Sequence, residues 1–192
     1  MCQMEFLKRN NMESSYLQSL GVEPGKYIIA VGRITPEKGF DYLIKAYKQA
    51  RLDDTKLVIA GGVEAESSYG KELQQLANDA NVVFAGFVQG KKLESLYSNA
   101  RLYVLSSVNE GFPLVLLEAM SYGQDVLVSD IPATHLVELE KEDYFEKANV
   151  EDMTSKLRYK ICTPSVKRDY DLNQFDWDKI ADKVDGIYHS LI

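Results

Sequence analysis

Two loops concentrate the side chains able to handle an anion together with a sugar. The first reads Gly32-Arg33-Ile34-Thr35-Pro36-Glu37-Lys38-Gly39 and carries two cations five residues apart. The second, Ser106 to Leu114, runs into Val115-Leu116-Leu117-Glu118-Ala119-Met120, with seven residues between Glu110 and Glu118. Placed cations and the N–H groups of a helix N-terminus are what a phosphate needs. A carboxylate suits a vicinal diol, because each oxygen accepts a hydroxyl proton. Gly111 lets a ligand approach the backbone, and Pro113 falls near a first helical turn, where its missing N–H costs nothing. The chemistry would be the binding of phosphates plus sugar hydroxyls. Spacing alone leaves a structural reading open for both loops. In it Arg33 pairs with Glu37, Lys38 is solvated, Glu110 caps a helix and a neighbour satisfies Glu118.

Both loops follow short apolar runs. Tyr27 to Val31, Leu57 to Ala60, Val82 to Ala85, Leu102 to Leu105 and Val126 to Ser129 are continuous rather than alternating, as in parallel strands covered on both faces. The segments between them have helical period: Phe40, Leu43, Ile44 and Tyr47 share one face, and so do Leu93, Leu96 and Tyr97. Strand then helix, repeated, predicts a doubly wound α/β parallel sheet of Rossmann-like type. Ligands of such sheets sit outside the carboxyl ends of the strands, where both loops fall. Residues 1–25 are polar and read as a linker or a helix of an upstream part. From about Asn149 the chain is predicted mostly helical. Its last helix places Ile180, Val184, Ile187, Tyr188 and Leu191 on one face, after an N-cap at Asp176.

Composition bounds the function. The 192 residues hold 22 Lys+Arg against 29 Asp+Glu, for a net charge of −7, and 45% are hydrophobic. That length suits one domain or two small ones, with a core large enough to fold without disulfides or metal. The balance excludes a disordered chain and argues against nucleic acid as a partner. In a chain that repels anions overall, a phosphate site must be built from individually placed cations. Cys2 and Cys162 stand at opposite ends and form neither a disulfide framework nor a zinc site. With no apolar run near the roughly 18 residues of a membrane span and no hydrophobic signal core at Met1-Cys2-Gln3, the expectation is a soluble, cytoplasmic protein. Neither G-x-G-x-x-G nor G-x(4)-G-K-[ST] occurs, so dinucleotide and P-loop readings fail. His135 and His189 are the two histidines, and with no third partner a Ser/His/Asp arrangement is unsupported.

The two loops resemble those of a known family. Val31-Gly32-Arg33-Ile34-Thr35-Pro36-Glu37-Lys38-Gly39, with Leu43 and Ala46 beyond, is similar to the first donor-site motif of glycosyltransferase family 4 (group 1), the retaining GT-B enzymes. Glu110 to Met120, with Gly123 beyond, resembles that family's E-x(7)-E motif. Phe84-Ala85-Gly86-Phe87-Val88 and Ser129-Asp130-Ile131-Pro132 are similar to two shorter ones. The likeness runs from Tyr27 to Glu138.

The resemblance implies a donor site for a nucleoside-diphosphate sugar, with UDP as the first candidate, and transfer of a hexose-type unit with retention and without metal or other cofactor. Arg33, Lys38 and Glu110 would make the catalytic contacts: the two cations on the diphosphate leaving group, Glu110 on the transferred sugar. Glu118 would hold the ribose. Gly32 and the backbone of Gly111, Phe112, Pro113 and Leu114 would bind sugar and phosphate, and Val88 with Leu93 would edge the base. The likeness covers only the C-terminal, donor-binding half of such enzymes. Residues 26–175 would be that domain, and 176–192 a helix packing on a missing N-terminal acceptor domain, through which the protein could touch the inner face of a membrane. This chain alone would then be inactive. Two alternatives stand beside this reading: a non-catalytic nucleotide-sugar-binding lobe, or a sugar-nucleotide epimerase on the same fold. Gln124-Asp125 and Ser106 depart from the family's frequent prolines at positions not expected to touch donor. Asp169-Tyr170-Asp171 and Asp176-Trp177-Asp178 match the D-x-D metal–diphosphate pattern of the other large glycosyltransferase fold, but both lie in an acidic tail.

Overall fold

The computed structural model describes residues 15–62, 68–78 and 80–190. The part of the expected linker before Ser15, with Cys2, and Leu191 of the terminal helix lie outside the described residues. Six parallel strands form one sheet in the order β3-β2-β1-β4-β5-β6. They are β1 (Tyr27–Val31), β2 (Lys56–Ala60), β3 (Val82–Gly86), β4 (Leu102–Leu105), β5 (Val126–Ser129) and β6 (Tyr144–Phe145). The order reverses between β1 and β4, and a doubly wound sheet opens its ligand crevice at such a switch point. The loops after β1 and β4 are the two that carry the charged motifs. Because every pairing is parallel, all strand ends of one polarity share an edge.

The period-2 direction of side chains divides the strands between two cores. Ile28, Ala30, Leu57, Ile59, Leu102 and Val104 face one layer, built on α2 (Phe40–Ala50), α3 (Ser68–Leu76) and α6 (Val150–Cys162). Tyr27, Ile29, Val58, Ala60, Tyr103 and Leu105 face the other, built on α1 (residues 15–19), α4 (Lys91–Asn99) and α5 (Leu114–Ser121). Covering both faces explains why the strands read as unbroken apolar runs.

Strand β6 was absent from the sequence expectation. It has two residues between charged neighbours, too short to show a period, and it exists by pairing Val128 with Tyr144 and Ser129 with Phe145. The region after Asn149 is mostly helical, as expected, but the helices are interrupted. Residues 163–172 are irregular. Thr163 is extended at φ −81° and ψ 142°, as a residue before proline prefers. This stretch is held against the amino ends of β5 and β6 by a compact charge cluster. Lys160 Nζ meets Asp143 Oδ1 at 2.6 Å and Asp125 Oδ1 at 2.7 Å, and Arg168 meets Asp143 Oδ1 at 2.7 Å. The Tyr170 hydroxyl donates to the Gln124 carbonyl at 2.7 Å. The chain then enters α7 (Trp177–Ser190), with Asp176 Oδ1 accepting the Asp178 N–H at 2.9 Å, the capping contact read from the sequence.

Candidate functional site at the carboxyl edge

The exits of β1, β2, β3 and β4 are stitched together by backbone. Gly32 N–H donates to the Ala60 carbonyl at 3.0 Å, Ile34 N–H to Gly62 at 3.0 Å and Gly61 N–H to Gly86 at 2.8 Å. A Cβ on Gly61 would overlap the Gly32 carbonyl oxygen, so only glycine permits this approach. The β1 loop then closes a single 3-10 turn, Pro36–Lys38, ending at Gly39 with φ 61°. Across the switch point Val108 N–H donates to the Glu37 carbonyl at 2.8 Å and the Ser106 hydroxyl to the Lys38 carbonyl at 2.8 Å. Gly39 lies so close beneath this loop that a Cβ would overlap the Ser106 carbonyl oxygen.

These contacts bring Lys38 and Glu110 together. Lys38 Nζ stands 2.6 Å from Glu110 Oε1, and the two side chains are 16% and 10% exposed. The Ser107 hydroxyl donates to the same oxygen at 2.7 Å. Glu110 is thus oriented by two donors and is not a helix cap. Lys38 spends one of an ammonium's three donors on it. Arg33 is exposed just past β1. Its charge, with that of Lys38, helps hold Glu37 below the usual carboxylate range, after larger effects from Glu37's own backbone N–H and the Thr35 hydroxyl.

Glu118, one helical turn into α5, is exposed and accepts from the Tyr97 hydroxyl at 3.1 Å on Oε2. The buried phenol of Tyr103 lies near both glutamates. Burial first, and the charges of Glu110 and Glu118 next, drive its pKa up. Pro113 is the N-cap of α5 and is buried, whereas Gly111, Phe112 and Leu114 are exposed. Among the described residues nothing would meet a Cβ on Gly111 within 4 Å. The N–H of Leu114, one of the backbone groups that the resemblance assigns to sugar and phosphate, is already engaged: it donates to the Phe112 carbonyl at 3.0 Å in a tight turn around Pro113. Val88 follows β3, and it and Leu93 on α4 are partly buried against the second core.

Other polar groups flank this edge. Past β5, His135 Nε2 and Asp130 Oδ1 lie 2.7 Å apart, and the His135 ring stacks on Tyr144 at 4.7 Å. They line a hollow of about 600 Å³ with Glu138 and Lys141. A hollow of about 700 Å³ joins Pro36 and Glu37 of the first loop to Val108 of the second. A third hollow, of about 720 Å³, is lined by tail residues including Asp169, Tyr170, Asp171 and Asp176 and touches neither loop. Among the described residues no group of three or more His, Cys, Asp or Glu is arranged to hold a metal ion, and no helix is long and apolar enough to cross a membrane.

Sequence reasoning missed Tyr97 and Ser107. Tyr97 showed only a packing period, and Ser107 only a polar loop position. Their hydroxyl contacts depend on helix placement that no local pattern encodes.

Comparison with known proteins bears on the family and the fold. The family model for glycosyl transferases group 1 matches residues 15–166. An uncharacterized glycosyltransferase of Methanocaldococcus jannaschii is 41% identical over 119 residues, covering 61% of this chain and 30% of that protein. The O-antigen chain mannosyltransferase of Salmonella typhimurium is 36% identical over 119 residues, covering 60% and 33%. The chain therefore spans about a third of the length of these curated relatives. Among solved structures, the Anabaena protein HepE in complex with UDP and glucose superimposes with a TM-score of 0.69 at 25% identity, covering 78% of this chain and 42% of that one. The catalytic domain of the Helicobacter pylori cholesterol-α-glucosyltransferase gives 0.62 at 28% identity, covering 71% and 86%.

Proposed function

The chain belongs to the glycosyl transferases group 1 family, and from that premise we propose that its carboxyl edge binds the nucleoside-diphosphate sugar of a family 4, retaining transfer. Arg33 and Lys38 hold the diphosphate, Glu110 the transferred sugar and Glu118 the ribose. Gly32 and the backbone of Gly111 and Phe112 complete the sugar–phosphate contacts, and Val88 with Leu93 borders the base. The observation that carries this reading is the Lys38–Glu110 pair, built by two loops meeting at the switch point of the sheet. UDP is the proposed nucleotide. The UDP and glucose complex of the Anabaena structure supports that choice.

The chemistry follows from charge. Breaking the anomeric bond drives negative charge onto the leaving diphosphate, and cations already in place stabilise it where it develops. Glu110 keeps the Lys38 ammonium in position without cancelling all its donors, and Ser107 keeps Glu110 in position. Retention calls for the acceptor to attack from the leaving-group face. No metal enters this reading.

Residues 26–175 act as the donor domain, and α7 carries an exposed apolar face, Val184, Ile187 and Tyr188, suited to a second, acceptor-binding lobe. Transfer of a hexose-type unit belongs to that two-lobe assembly.

Calorimetric titration with UDP tests the donor assignment. Binding to the unaltered chain and a loss of about tenfold or more in Arg33→Ala are expected, the worth of one charge-assisted contact. Unchanged affinity in Arg33→Ala would remove the diphosphate assignment.

A further inference from the structure

We propose that Tyr97 is a positioning residue for Glu118, orienting its carboxylate toward the pentose and so setting a preference for ribonucleotides over 2′-deoxyribonucleotides. This rests on the reading of Glu118 as the ribose-binding group.

Tyr97 comes from α4 and Glu118 from α5, so the contact joins two helices of the same layer. Tyr97 is 1% exposed, whereas Glu118 is exposed. The phenol donates to Glu118 Oε2 at 3.1 Å and shares its proton with the Val115 carbonyl at 3.3 Å. The ring cannot follow a moving partner. It stacks on Tyr122 with centroids 5.5 Å apart and planes at 9°, and it tilts against Tyr103 at 6.0 Å. Its own carbonyl accepts from the Gln124 side chain. Burial, with the neighbouring Glu118 carboxylate, pushes the phenol far above its ordinary range, so it remains a donor at any working pH.

A solvent-facing glutamate ordinarily samples many rotamers, and a ligand that needs one of them must oppose that entropy. A rigid buried donor that fixes Oε2 selects one arrangement in advance. It leaves Oε1 and the second lone pair of Oε2 to accept ribose hydroxyls. Tyr103 supplies the internal control. It is equally buried and lies near both glutamates, yet its hydroxyl has no partner among the described residues.

The test measures affinity for UDP, GDP and ADP, each beside its 2′-deoxy counterpart, by calorimetry, and reads the ribo-to-deoxy ratio for the tightest base. Glu118→Gln is expected to bring the ratio close to one. Tyr97→Phe is expected to lower it about three- to tenfold, the worth of one hydrogen bond, with deoxynucleotide affinity unchanged. Tyr103→Phe leaves the ratio alone. In the double variant Tyr97→Phe with Glu118→Gln, the ratio falls no further than with Glu118→Gln by itself, because Tyr97 acts only through Glu118. A merely structural tyrosine would weaken both nucleotides equally. A wild-type ratio in Tyr97→Phe, or a further fall in the double variant, overturns the proposal. A wild-type ratio in Glu118→Gln overturns the ribose reading itself and this inference with it.

Discussion

Lys38 Nζ and Glu110 Oε1 lie 2.6 Å apart across a separation of 72 residues, and the contact spans the one place where the strand order reverses. The pair is mostly buried, so each charge depends on the other. Lys38→Met leaves the Glu110 carboxylate with the Ser107 hydroxyl alone. Unfolding in urea should show a loss of about 1.5–3 kcal/mol, and combining it with Glu110→Gln should restore part of that loss. A double variant no better than Lys38→Met would mean that the pair does not act as a unit.

Gly39 joins a left-handed backbone to a close contact, since a Cβ there would overlap the Ser106 carbonyl oxygen. Gly39→Ala is expected to cost more than about 2 kcal/mol, the left-handed penalty of 1–2 kcal/mol plus the displacement of the second loop. A denaturation midpoint within experimental error of the parent would contradict the close approach.

Arg33 is exposed and outside both cores. Arg33→Ala should therefore change stability by less than about 0.5 kcal/mol while weakening UDP and leaving uridine, which has no diphosphate, unaffected. Equal weakening of both ligands would place the arginine on the nucleoside instead.

At the opposite edge, the Asp143 side chain is 1% exposed between Lys160 and Arg168. Asp143→Ala leaves Lys160 and Arg168 with Asp125 as their one carboxylate partner among the described residues and is expected to cost about 3 kcal/mol, loosening residues 163–172 first. Hydrogen exchange should show that segment exposed before the sheet; protection lost everywhere at once would show that the cluster anchors more than the tail.

Stability should also fall on the alkaline side. Burial, with the Asp53 charge, pushes the Tyr47 phenol up to about 12, and its hydroxyl donates to the Thr55 carbonyl at 2.6 Å. The folded value lies above the unfolded one near 10, so this stabilisation is complete below pH 10 and is lost as pH climbs to about 12. Denaturant midpoints should hold between pH 7 and 9 and decline above pH 10. In Tyr47→Phe, already weaker at pH 7, the decline should be shallower.

Much of the architecture was legible in the chain. The five longer strands stand where unbroken apolar runs predicted them, and helices α2 and α4 bury the faces that their period marked. Strand β6 was not legible, because two residues carry no period and Tyr144-Phe145 pairs only once β5 is in place. The break at residues 163–172 is marked in the sequence only by Pro164, while the charges that hold it come from Asp125, Asp143 and Lys160. At the site, residue types singled out the two loops that the structure brings together at one edge of the sheet, but Leu114 N–H is already used within its own turn.

The sequence by itself determined the alternation of strand and helix, and with it the arrival of Arg33, Lys38, Glu110 and Glu118 on one edge, because periodicity and strand polarity are local properties of the chain. Only the tertiary structure decided that Lys38 meets Glu110 and that Tyr97 reaches Glu118. Those contacts exist because β1 lies beside β4 and α4 beside α5, and the choice of neighbours is made by the packing of whole layers rather than by any stretch of residues within them.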